Sequence, residues 1–321
     1  MGPSYHIDGT EKFGYIPINR FLYSFYMYKN TVKRITDLYH FASVQDLKGY
    51  VAHYCYLRLK SFDTFIKVLV QYKDYVSANC LLRMLGDNVA IFRLIYCEND
   101  KNLLLLRHAL YVMDGCERNL KVLPEKNVNE GILSEEDLKK SDEATRYNRE
   151  HRQQLIHEAK EILAASPLQY RNKAAFDKIV EDRNWKFKEF KAYKRKGSNQ
   201  YQWRELYELI GCCDGFDILS YISQYAHGLS MSNLVIKFNE QNVNGVVSEG
   251  LGLIKRLHKY TLDFFASEQR YILEGLLEPK MRNEILACFD EQHRPDIDTW
   301  NQDVMNKLND LRQNGYFEVI L

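Results

Sequence analysis

In the most apolar stretch of the sequence, VSANCLLRMLGDNVAIFRLIYC from Val76 to Cys97, an amide, a guanidinium and a carboxylate recur every four residues as Asn79, Arg83 and Asp87. On an α-helix, positions four apart drift by only about 40° per step, so the three share one face and Arg83 can pair with Asp87. A charged pair on an otherwise apolar helix is costly unless hydrogen bonds complete it. Two uses compete for it, a structural tie to a neighbouring helix and the polar lining of a pocket, because charges in unusual surroundings gather in both settings.

A second polar group lies in DILSYISQYAHGLSMSN, residues 217–233. Ser220, Ser223, Gln224 and His227 fall on one side of a short helix that Gly228 would end. A histidine there is favoured by the helix dipole alone, so a capping role stands beside a catalytic one. Joined, the two groups make one candidate site. Arg83 and His227 form its catalytic pair, and Asn79, Asp87, Ser223 and Tyr225 are its ligand contacts.

A third signal is basic and aromatic. From Arg183 to Arg204 there are eight Lys or Arg against one acid, interleaved with Trp185, Phe187, Phe190, Tyr193, Tyr201 and Trp203. Cations that neutralise a backbone, alternating with rings on which bases stack, are how single-stranded nucleic acid is held, with Lys188, Lys191 and Lys194 as the contacts. Against this, the 187, 190, 193 spacing fits a helical stripe packed inward while the lysines reach outward, and that reading is favoured.

The elements that must position these groups read as helices throughout. Prolines stand only at positions 3, 17, 124, 167, 279 and 295, and from Ile18 to Leu123 there is none. Proline is barred from helix interiors, and apolar residues recur there at three and four, which predicts helices near 18–40, 44–72, 75–98 and 101–122. Between Ser134 and Glu161, 14 of 28 residues are charged, and Ser134 with Asp137 resembles a capping box; a long charged connecting helix is expected from there to Ala165. Shorter helices follow at 172–183, 202–210 and 214–227, then a final set at 243–265, 267–277, 280–290 and 298–313. Tyr316–Leu321 is a short apolar end able to dock on the body or on a partner. No alternating β-branched run demands a sheet.

The fold class expected is therefore all-α, a multi-helix body with a long charged connecting helix. A polar tail, 1–16, precedes one helical domain, 17–321. Within it, 17–123 forms a first bundle, 124–167 the connector and 168–321 a second part packed on the first.

The text Leu81-Leu82-Arg83-Met84-Leu85-Gly86-Asp87, then Trp185, then Ser223-Gln224-Tyr225-Ala226-His227-Gly228 resembles a mainly bacterial helical family of unknown activity. In that family a central helix carries Leu-Leu-Arg-x-x-x-Glu, and a later segment reads Ser-x-x-x-His-Gly after a Trp-containing stretch. The resemblance spans residues 60–235. Asp87 stands where the family has Glu, one methylene shorter. What the resemblance implies is a fold and a site location, not a reaction.

Helical bacterial families of this shape resemble the HEPN nucleases, whose motif is Arg, four to six residues, then His. Arg34 with His40, Arg146 with His151 and Arg152 with His157 match it, but 19 arginines and nine histidines supply about one or two such matches by chance. None has the polar Asn, Asp or His that usually follows the Arg. The resemblance implies, as an alternative to simple ligand binding, a metal-independent ribonuclease of bacterial defence or toxin systems.

Composition excludes several classes. Forty-four Lys plus Arg against 43 Asp plus Glu leave a formal charge of +1, so no global field draws the chain to polyanions. The seven cysteines show no metal spacing and read as reduced core thiols, which points to the cytoplasm. The start, MGPSYHIDGTEKFGY, lacks a signal peptide's features. No run approaches the roughly 18 apolar residues of a membrane span. Phosphate-loop, dinucleotide, nucleophile-elbow and zinc-peptidase motifs are missing. No cofactor and no metal is expected. The expected partners are an unidentified ligand, RNA and a second copy of the chain, with no membrane.

Overall fold

The computed structural model describes residues 17–123, 134–212, 219, 222–223 and 240–314. Among them the chain forms an all-α body of twelve helices with no strand. The first four are α1 (Pro17–Leu38), α2 (Leu47–Val70), α3 (Tyr75–Tyr96) and α4 (Lys101–Val122). The long charged connecting helix is α5 (Glu135–Ala164). It is followed by α6 (Leu168–Arg171), α7 (Lys173–Glu181) and α8 (Trp203–Glu208). The last four are α9 (Glu240–Phe264), α10 (Gln269–Glu274), α11 (Pro279–Leu286) and α12 (Ile297–Asn314). The expected helix 214–227 and the apolar end 316–321 lie outside the described residues, apart from Leu219, Ile222 and Ser223.

The chain forms two compact units, neither a single run of sequence. The grouping 17–123, 124–167 and 168–321 follows the chain, whereas the units follow contact.

The first unit takes in the chain up to His40, Val51–Arg93 and the chain from Trp203 onward. In it α1 packs along α9 and also meets α10 and α11, while α10 meets α12. Its core is aromatic: Phe21 lies 5.8 Å from Phe65 and 6.3 Å from Phe62, and Tyr28 contacts Phe62 edge-on. Such offset and edge contacts are the favoured geometries of ring pairs. Gly250 of α9 makes the close approach feasible, since a Cβ there would stand 2.7 Å from the Phe65 ring.

The second unit comprises Phe41–Tyr50 and Leu94–Gln202, with α4 against α5. Ser134 caps α5, its Oγ accepting from the Asp137 amide at 3.2 Å. Only Ile156, Ala159 and Leu163 of α5 are buried, which explains how the helix carries so many charges. Arg149 of α5 donates to the Leu123 carbonyl at 2.8 Å and so satisfies the end of α4. His108 sits at the centre of this unit. Its Nε2 meets the Val44 carbonyl at 3.0 Å and its Nδ1 the Tyr96 hydroxyl at 3.1 Å. A carbonyl can only accept, so the proton is on Nε2 and Tyr96 donates to Nδ1.

Candidate functional site

α3 is central as its composition demands: no residue from Ala78 to Glu98 is exposed. On its polar face Arg83 and Asp87 form an ion pair through Nη1 and Oδ1. The same Oδ1 accepts from the Tyr207 hydroxyl of α8 at 2.6 Å. The Arg83 guanidinium lies over the Tyr207 ring, 4.9 Å from its centroid, and 5.9 Å from that of Trp203. Trp203 and Tyr207 are themselves stacked, 6.1 Å apart with planes 26° from parallel. A charge-assisted bond, a neutral hydroxyl and two ring faces thus complete the pair, the condition under which a shielded ion pair is tolerated.

Asn79 does not join this network. It is 1% exposed and its Nδ2 donates to the Tyr75 carbonyl one turn back at 2.8 Å, leaving Oδ1 with no partner among the described residues. The Arg83 Nε is likewise buried and unpartnered there. Ser223 is half-buried and helical. His227 and Tyr225 lie outside the described residues.

Trp203 and Tyr207 enter the site although neither belongs to the polar groups expected to form it. Their signal was an aromatic pair four apart on a predicted helix, the spacing that puts two rings on one face. Gly86 of α3 shows how tightly this face is covered: a Cβ there would stand 2.5 Å from Leu219 Cδ2.

The basic segment folds differently from its spacing. Residues 184–202 are turns and a 3-10 stretch, so the 187, 190, 193 period is not a helical stripe. Asn199 decides this, because its amide mimics a paired backbone: Oδ1 accepts from the Glu189 amide at 3.0 Å and Nδ2 donates to the Glu189 carbonyl at 2.8 Å. Among the described residues the one β feature is the isolated bridge between Phe187 and Gln200. Trp185 and Phe187 are buried, and Phe187 lies under the Arg107 guanidinium at 4.4 Å. Lys188, Lys191 and Lys194 are exposed, with Lys191 paired to Glu189 at 2.8 Å.

Of the three Arg-to-His spacings, Arg34 is engaged by Glu278 at 2.8 Å and by the Tyr271 ring at 4.6 Å. His151 stacks on Tyr147, and His157 faces Glu161 at 3.4 Å.

The first unit also buries a histidine outside any polar motif of the sequence. His258 of α9 meets Thr31 Oγ1 at 2.8 Å, and burial pushes its pKa down to about 3. Thr31 donates onward to the Met27 carbonyl at 3.3 Å, which leaves its oxygen to accept from a neutral imidazole. A small cavity lined by Asn30, Thr31, His258, Gln269 and apolar neighbours adjoins the pair.

No family model, curated protein or solved structure matches the chain. Among the described residues, no helix is long and apolar enough to cross a membrane.

Proposed function

We propose that this chain is a binding protein whose ligand contacts include Arg83, Asp87, Tyr207 and Trp203, and that Ser223, Tyr225 and His227, selected on sequence, belong to the same function. The observation that carries the reading is the Arg83–Asp87 pair itself, set on an apolar helix, stacked by two rings and clamped by the Tyr207 hydroxyl. Replacing such a pair by hydrocarbon of similar size is often neutral or stabilising, so its presence points to recognition rather than to stability. A screen of small molecules by thermal shift tests it. Hits should stabilise the wild type and lose their effect in both Arg83→Ala and His227→Ala. Shifts unaltered by either change would sink the proposal.

The second reading is a metal-independent ribonuclease in which Arg83 stabilises charge growing on phosphorus and His227 moves the ribose hydroxyl proton. A fixed guanidinium favours it, since rings and a carboxylate hold Arg83 in one place. Asp87 weighs against it by already neutralising that charge, and for this reason binding is preferred. Labelled RNA incubated in EDTA with wild type, Arg83→Ala and His227→Ala separates the two. Cleavage lost in both variants supports the ribonuclease; no cleavage, or cleavage that survives both changes, removes it.

A further inference from the structure

The geometry points to the exposed cations of residues 186–196, in the second unit, as a binding surface for single-stranded nucleic acid, held through its phosphates without regard to sequence. It does not depend on the Arg83 reading. Its first observation is charge. Six Lys or Arg and one acid, Glu189, fall within these eleven residues, whereas the whole chain carries a formal charge of +1, so the rest of the molecule is net negative. Charge of one sign concentrated on one loop attracts a polyanion that the chain as a whole does not.

The second observation is what the cations meet. On the helices a surface cation commonly faces an acid one turn away, as Lys140 faces Glu136 at 2.7 Å, Lys259 Asp263 at 3.3 Å and Arg270 Glu274 at 3.1 Å. Residues 184–202 are not α-helical, so that spacing is lost. Lys191 keeps Glu189, but Lys194, Arg195 and Lys196 follow one another without an ion pair among the described residues, Lys196 donating to the Asp182 carbonyl at 2.6 Å. Adjacent like charges with no counter-charge repel, a cost that a phosphate chain removes.

The third is preorganisation. The Asn199 amide holds the Glu189 backbone at 3.0 and 2.8 Å, Asn184 Nδ2 donates to the Asn199 carbonyl at 3.0 Å, and the Arg195 carbonyl accepts from Ser198 Oγ at 2.7 Å. Cations presented from an ordered backbone lose less entropy when phosphates settle on them. No large apolar side chain of the loop is exposed: Phe187 is buried, and Phe190 and Tyr193 are half-buried. A bilayer surface is anionic as well, but firm attachment to it draws on apolar side chains that insert, which this loop does not present. A flexible phosphate chain needs only the cations.

A short labelled RNA of mixed sequence, followed by fluorescence anisotropy across a salt series, tests this. With about three or four phosphate contacts, the slope of log affinity against log salt should be about −2 to −3. Lys194→Glu with Arg195→Glu should weaken binding about tenfold or more and flatten the slope by about 1 to 1.5. Lys194→Gln with Arg195→Gln, the milder change, should fall between it and wild type, and it decides the matter if circular dichroism shows that the Glu pair has lost its fold. Lys160→Glu with Lys280→Glu, at exposed lysines outside the loop, shifts the net charge equally and should stay within about threefold of wild type. No binding at about 50 mM salt, a slope near zero, or an equal loss in the Lys160 and Lys280 variant overturns the surface. Retention on phosphatidylserine vesicles that the Lys194 and Arg195 changes abolish, without RNA binding, overturns the nucleic acid in favour of a membrane.

Discussion

At Asp87 one carboxylate oxygen serves both the Arg83 guanidinium and the Tyr207 hydroxyl, so removing its charge and removing its neighbour have different costs. Asp87→Asn keeps an acceptor for Tyr207 but leaves a largely shielded guanidinium without a counter-charge; a loss of about 1–3 kcal/mol in urea unfolding is expected. Tyr207→Phe removes one hydroxyl bond and should cost less, about 1 kcal/mol. The decisive variant is Arg83→Met with Asp87→Leu. If the pair is kept for recognition, that double change made in a Tyr207→Phe background, where no hydroxyl is left without its acceptor, gives stability equal to or above that of Tyr207→Phe alone while abolishing the ligand-induced shift. A combined variant clearly less stable than Tyr207→Phe would mark the pair as structural. Asn79, Arg83 and Asp87 were legible as one face because helical geometry alone dictates it. That Asn79 turns to its own backbone while Tyr207 takes its place in the network was not legible, since a side chain's choice among partners is made by what packs opposite.

Among the elements, α9 offers a paired test of how close packing limits helix propensity. Gly245 has open space where a Cβ would go, so Gly245→Ala should raise stability by up to about 1 kcal/mol through the better intrinsic propensity of alanine. Gly250 faces the buried Phe65 and Phe21 rings, the nearer atom 2.7 Å from an added Cβ. Gly250→Ala should therefore lower stability by about 1–3 kcal/mol despite the same propensity gain. Thermal unfolding of both variants checks the opposite signs. At the start of α5, Ser134→Ala removes the cap on Asp137 and should cost about 1 kcal/mol. Because the surrounding turn is exposed, the effect should be seen first as faster hydrogen exchange in that turn and only weakly as a lower melting temperature. The helix limits were readable from proline placement, caps and apolar period. Residues 184–202 were not, because a single isolated bridge holds their backbone and the Asn184 and Asn199 side-chain amides brace it, neither of which leaves a periodic trace.

For the whole molecule, His108 and His258, the two buried histidines among the described residues, set an acid limit. Burial lowers His108 to about 4 and His258 to about 3, against an ordinary value of 6.5. The folded chain therefore refuses protons that the unfolded chain accepts. Their stability contribution is complete above about pH 6.5 and is lost as pH falls from there toward 4 and 3, by up to about 1.4 kcal/mol per histidine per pH unit. Urea midpoints at pH 7.5, 5.5 and 4.5 should fall in that order. His258→Gln, which keeps a neutral group beside Thr31, should flatten the slope relative to wild type; an unchanged slope would remove His258 as a cause.

What the sequence by itself determined is the all-α class, the charged connecting helix and the polar face of α3, because each follows from local period, caps and charge within a few turns of chain. Only the tertiary structure decided that Trp203 and Tyr207, more than a hundred residues downstream, close over Arg83 and Asp87, and that the helices sort into two units that are not continuous in sequence. Contacts between distant segments are set by which apolar faces bury one another, and many pairings satisfy the same pattern of faces until the chain is packed.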